Sequence, residues 1–220
     1  MIKGVIFDLD GLLVDTEKTY RDGWLWTFDQ YGLPISEKEV DSWGGRSWLQ
    51  TADYIASIAG KEKVAELRAK REEFIYHQLA NGELQAKPFA KETLEFCKER
   101  GLTVGLATST VKKRATDLLE HFKLADYFDA MTFGDEIMDH KPAPTVYLTA
   151  LSKADLMPTE AAAVEDSITG ATAATRAGMG VFLIPDSSFT RPASDQKEKL
   201  NLIAEGPTLQ TVIDYLQEVQ

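Results

Sequence analysis

The stretch that most narrows the fold is Gly4-Val5-Ile6-Phe7-Asp8-Leu9-Asp10-Gly11, close to the N-terminus. A short, nearly continuous apolar run between turn residues reads as a β-strand buried on both faces. Such a strand belongs in the middle of a sheet. At its C-terminal end stand Asp8 and Asp10, and alternation along extended chain puts them on one side. Two carboxylates that close repel, and one has its pKa raised unless a cation sits between them. The pair implies either a metal ion or a proton-sharing dyad.

The rest of the chain falls into two patterns. From Glu17 to about residue 80 it is helical, with Tyr20, Trp24, Phe28 and Tyr31 at helical spacing and a stop at Gly32-Leu33-Pro34. Ser36 before Glu39 has the form of a capping box. Two more helices are expected at 47–59 and 61–80, the second with Val64, Leu67, Ile75 and Leu79 on one face. From Lys87 onward strands and helices alternate. Strands are expected at 103–108, 130–133, 161–165 and 181–184, and helices at 88–100, 111–122, 144–153, 168–177 and 208–219. That alternation implies a parallel sheet covered on both faces. The expected organisation is an α/β core, residues 1–15 and 82–220, interrupted by a helical insertion, residues 16–81.

Composition removes several classes of function. The net charge of −11 argues against nucleic acid or an anionic membrane as the main target. Cys97 is the only cysteine, so there is neither a disulfide framework nor a cysteine metal site. No signal-peptide pattern and no bilayer-length apolar stretch is seen, so a cytoplasmic protein is expected, working as a monomer.

Ligands of open parallel sheets bind beyond the C-terminal strand ends, and three further polar clusters fall at or soon after such ends. Thr108-Ser109-Thr110 precedes a helix, where hydroxyls and free N–H groups suit phosphate. Lys141 lies in His140-Lys141-Pro142-Ala143-Pro144, whose prolines stiffen the loop that presents it. Glu165-Asp166-Ser167 ends another strand. Oxygen ligands of this kind, without His or Cys nearby, suit Mg2+. Ionised Asp8, Glu165 and Asp166 against Mg2+ and Lys141 leave a near-neutral site if Asp10 is protonated, which a phosphate monoester could enter. The basic trio Lys112-Lys113-Arg114 reads as a solvated helix face.

In order and spacing these clusters resemble the haloacid dehalogenase superfamily, in its phosphatase and β-phosphoglucomutase-like branch. Asp8-Leu9-Asp10-Gly11 with Asp15-Thr16-Glu17 is similar to the first motif, Thr108-Ser109 to the second and Lys141-Pro142 to the third. Glu165-Asp166-Ser167 with Gly170 is similar to the fourth. The resemblance implies a Rossmann-like parallel-sheet core with an inserted α-helical cap domain. It implies that Asp8 is the nucleophile and Asp10 the general acid and base. Thr108, Ser109 and Lys141 would bind the phosphoryl group. Mg2+ would be held by Asp8, the Asp10 carbonyl and Asp166, with Glu165 at or near the shell. The implied substrate is a small-molecule phosphate ester, hydrolysed through an aspartyl-phosphate.

Gly44-Gly45-Arg46-Ser47 resembles the substrate loop of such a cap, which makes Gly45, Arg46 and Ser47 candidate substrate contacts. Mutase members carry a histidine where this chain has Tyr20 and an arginine where it has Trp48, so hydrolysis is favoured over sugar-phosphate mutation. Trp24 is expected in the cap core, whereas Trp43 and Trp48 flank the loop and are candidates to wall a substrate pocket.

Overall fold

The computed structural model describes residues 1–43, 48–186 and 197–219. The chain divides into two compact units, Met1–Val14 with Ala86–Gln220, and Asp15–Gln85. The sequence pattern closes the insertion at Asn81-Gly82, but residues 82–85 go with the helical unit. The reason is a pairing at the crossing. Val14 bridges Ala86 antiparallel, and the Asp15 N–H donates to the Gln85 carbonyl at 2.9 Å.

The α/β unit is built on a parallel sheet. Its strands are β1 (Gly4–Phe7), β2 (Thr103–Ala107), β3 (Ala130–Thr132), β4 (Ala161–Glu165), β5 (Gly180–Leu183) and β6 (Leu202–Glu205), in the order β3-β2-β1-β4-β5-β6. Phe7 pairs with Leu106 on one side and Val164 on the other, so the ends of β1, β2 and β4 are level. Every residue of β1 and of β4 is buried, as continuous apolar runs require. The triple alanine of β4 leaves room for the helix over Ile168–Arg176 to lie close against it.

The helical unit holds α1 (Glu17–Gln30), α2 (Glu37–Asp41), α3 (Trp48–Ala59) and α4 (Val64–Ala80). In the α/β unit follow α5 (Ala90–Glu99), α6 (Lys112–His121), α7 (Thr145–Lys153), α8 (Ile168–Arg176) and a last helix, α9 (Gln210–Val219). Local signals set many ends. Ser36 accepts from the Glu39 N–H while Glu39 accepts from the Ser36 N–H, the capping box its sequence announces. Gly32, Gly101 and Gly178 follow helices with positive φ, a conformation glycine adopts without strain.

β6 is a strand the sequence pattern does not announce. Leu202, Ile203 and Ala204 are only half-buried at the sheet edge, and the β5 pairing shifts register between Val181 and Phe182. Neither strict alternation nor a buried run survives there. Cys97 is buried in α5, and burial pushes its thiol up to about 12, so it is an inert core residue. Among the described residues no helix is long and apolar enough to cross a membrane.

Candidate active site

The expected clusters of the α/β unit converge at the C-terminal ends of β1, β2 and β4. Asp8 directly follows β1, with its N–H donating to the Val164 carbonyl at 3.1 Å. Lys141 reaches it from the loop before α7, across a separation of 133 residues. The Lys141 Nζ donates to Asp8 Oδ1 at 2.6 Å, to Glu165 Oε1 at 2.7 Å and to the Ala107 carbonyl at 3.0 Å. An ammonium has three protons to give, and each has an oxygen here. The Lys141–Pro142 peptide is cis.

Glu165 takes a second donor, the Tyr147 hydroxyl of α7, at 2.5 Å. Gly170, in the first turn of α8, packs so tightly on this carboxylate that a Cβ there would overlap it. Ser167 caps the helix by accepting from the Gly170 N–H at 3.1 Å. Carboxylate oxygens of Asp8, Glu165 and Asp166 all lie within 4.8 Å of one another.

The electrostatics show what this cluster lacks. Burial pushes the Asp8 carboxyl up to about 8; Lys141 opposes that rise, while Glu165 and Asp10 add to it. Burial pulls the Lys141 ammonium down, and the Asp8 and Glu165 carboxylates more than reverse it, so it stays charged. One ammonium is too little positive charge for the surrounding carboxylates. A divalent cation among those hard oxygens would restore the ionised form of Asp8. The donor set therefore fits Mg2+.

Asp10 stands apart from the trio. Its Oδ2 accepts from the Thr110 hydroxyl. Thr108 is buried, and its hydroxyl accepts from the Thr110 N–H at 3.0 Å, whereas Ser109 is exposed. Gly134 lies against this turn so closely that a Cβ would overlap the Ser109 carbonyl.

Two expectations need correction. Arg114 is not on a solvated face: it is 7% exposed, and its Nη2 donates to the Thr110 hydroxyl at 3.0 Å. Lys112 and Lys113 are exposed as expected. The inward face of α6 carries Arg114, Ala115, Leu118 and Leu119, and the four-residue step from Thr110 to Arg114 is the signal that could have revealed it. Among the described residues, Trp43 is core rather than an open wall. It is buried in the helical unit, edge-on to Trp24 at 5.9 Å. Trp48 is half-buried and stacked on Trp24 at 6.3 Å, with the Arg68 guanidinium 4.2 Å from its ring. Tyr147 is a further site residue that sequence reasoning passed over, and Thr110, read there only as one of the hydroxyl cluster, proves to be a partner of Asp10. The expected substrate loop, with Gly45, Arg46 and Ser47, lies outside the described residues.

A family model described as haloacid dehalogenase-like hydrolase matches residues 5–184. The chain belongs to that family. A relative from Thermotoga maritima, the phosphorylated carbohydrates phosphatase, is 34% identical over 81% of this chain and 82% of its own length. CbbY from Rhodobacter sphaeroides, solved in complex with phosphate, superposes with a TM-score of 0.82 at 23% identity, covering 99% of this chain and 100% of that one. The β-phosphoglucomutase of Clostridium difficile superposes with a TM-score of 0.81 at 23% identity, over 99% of this chain and 96% of that one. At that identity the two structures speak for the shared fold.

Proposed function

We infer that this haloacid dehalogenase-like hydrolase is a Mg2+-dependent phosphatase that hydrolyses a small phosphorylated metabolite, with sugar phosphates the leading class. The observation that carries the reading is the meeting of Asp8, Lys141, Glu165 and Asp166 at adjacent strand ends, with Asp10 held separately by Thr110.

The Asp8 carboxylate attacks phosphorus, and its new O–P bond forms as the bond to the leaving alcohol breaks. Asp10 gives that oxygen a proton, then takes one from the water that cleaves the aspartyl-phosphate, which frees Asp8 and inorganic phosphate. Thr108 and Ser109 hold the phosphoryl oxygens and Lys141 sets its positive charge beside them, so the work is mostly positioning and charge stabilisation. Asp8, the Asp10 carbonyl and Asp166, with Glu165 at or near the shell, would hold Mg2+. When bound, the ion supplies positive charge against the phosphoryl oxygens and the nucleophile. Gly45, Arg46 and Ser47 are assigned to substrate selection. The relative named as a phosphatase of phosphorylated carbohydrates supports the substrate class. A cytoplasmic monomer is part of the same reading, and a solution mass near 24.4 kDa by light scattering would support the monomer.

A sugar-phosphate mutase is the alternative on the same core, favoured by the likeness to a β-phosphoglucomutase. Against it stand Tyr20 and Trp48, which replace the mutases' histidine and arginine and are committed to packing. Tyr20 lies under the Arg71 guanidinium at 5.0 Å, and Trp48 stacks on Trp24.

The test is phosphate release from a panel of phosphorylated metabolites, with Mg2+ or EDTA, alongside Asp8→Asn. Release should need the metal and fall by more than about a thousandfold in Asp8→Asn. Interconversion of sugar phosphates with a bisphosphate primer, without release, would make the chain a mutase.

A further inference from the structure

We propose that Arg114 and Thr110 act as a positioning pair that aims the Asp10 carboxyl at the leaving oxygen, a role that rests on the phosphatase reading. The geometry is a chain of donors. The Arg114 Nη2 donates to the Thr110 Oγ1 at 3.0 Å, and that hydroxyl donates to Asp10 Oδ2. A guanidinium has no acceptor, so the threonine oxygen accepts from it and has one proton left to give. That proton goes to Oδ2. With Oδ2 held as an acceptor, a proton carried by Asp10 sits on Oδ1.

The pair is rigid for reasons visible in the fold. Thr110 and Arg114 are 4% and 7% exposed, so water does not readily replace either partner. The Thr110 carbonyl accepts from the Gly134 N–H at 2.8 Å, and its own N–H donates to the Thr108 hydroxyl at 3.0 Å. The start of α6 is pinned as well, with the Lys112 N–H donating to Asp135 Oδ1 at 2.8 Å. Backbone bonds on both sides of the threonine therefore hold its side chain within reach of Asp10. Burying a guanidinium is costly unless it is well bonded, and here one of its bonds is spent on the residue that orients the proton donor.

Leaving-group dependence separates positioning from bulk stability. An alkoxide leaves slowly without a proton, whereas p-nitrophenolate leaves readily without one. The value of kcat/KM reports the first transfer, before breakdown of the aspartyl-phosphate can mask it. The wild type, Thr110→Val, Thr110→Ser and Arg114→Met are compared on a hexose phosphate and on p-nitrophenyl phosphate, with Mg2+ and with melting temperatures recorded. Thr110→Val should lower kcat/KM by about 10- to 100-fold on the hexose phosphate, a part of what general acid catalysis supplies. On p-nitrophenyl phosphate it should lose less than about 3-fold. Thr110→Ser keeps the hydroxyl and should restore both values, and Arg114→Met should repeat the valine pattern more weakly. If valine disturbs packing, Thr110→Ala against Thr110→Ser makes the same comparison. Equal losses on the two esters, or no loss on either, would overturn the positioning role. A wild type that releases phosphate from neither ester would overturn the phosphatase reading and the proposal with it.

Discussion

The two units surround their cations differently. In the helical unit, Arg71 is buried with its guanidinium over the rings of Tyr20 and Trp24 at 5.0 and 4.7 Å while its Nη2 donates to Glu72 Oε1 at 2.7 Å, and the half-buried Arg68 lies over Trp48 at 4.2 Å. In the α/β unit, Lys141 and Arg114 point at oxygens: two carboxylates and a carbonyl for the lysine, a threonine hydroxyl for the arginine. A ring face accepts a cation without ionising, and the carboxylate that Arg71 meets belongs to the next residue of the same helix, so the first arrangement stabilises packing. Carboxylates at strand ends carry charge that a substrate or a metal can redistribute. Burial of a basic residue does not mark a site. A gathering of carboxylates from several strand ends does.

The comparison breaks first at the aromatic core of the helical unit. Phe28 is fully buried between Trp24 and Trp43, and Phe28→Ala should cost about 3–5 kcal/mol in urea unfolding. A cost below about 1 kcal/mol would mean that the rings are not what holds the unit together.

Next in size is Tyr147→Phe, which removes a buried donor from Glu165 but leaves the ring in place. It should cost about 1–3 kcal/mol of stability. Mg2+ affinity, measured by the metal's effect on melting temperature, should weaken by about tenfold because a residue that orients a ligand is lost. Unchanged metal affinity would separate Glu165 from the metal shell.

Smaller still is Ser36→Ala at the start of α2. It should cost about 1 kcal/mol of stability and leave the turnover of a good substrate unchanged. A large loss of turnover would tie this helix cap to catalysis.

The smallest effect concerns acid. The Ser36 hydroxyl first, then the Ser36 N–H and the Tyr54 hydroxyl, hold Glu39 below the ordinary carboxylate range. A depressed folded pKa means that these bonds contribute in full above the ordinary glutamate range and are lost as pH falls through the folded value. The gap in melting temperature between wild type and Glu39→Gln should therefore close on going from about pH 7 to about pH 3. A gap that stays constant would show that ionisation of Glu39 plays no part.

Much of the fold is written locally. The central strand, the capping box at Ser36 and the alternation after Lys87 each depend on residues near one another in the chain. The carboxylate, hydroxyl and lysine clusters are visible for the same reason, since each occupies a short segment at a strand end. Less legible are the features set by distant partners. β6 is an edge strand whose half-buried residues lack a clear period. Arg114 sits beside two exposed lysines, and only the inward turn of α6 tells it from them. Trp43 flanks the expected substrate loop in sequence and is core in space.

The amino-acid pattern alone therefore determines a parallel α/β core with a helical insertion and acidic, hydroxyl and basic groups at successive strand ends. Tertiary structure decides which of those groups meet. Lys141 bonds Asp8 across 133 residues and Glu165 across 24, and Thr110 bonds Asp10 across 100. Such contacts depend on strand order and on β1, β2 and β4 ending level, quantities to which no local period corresponds.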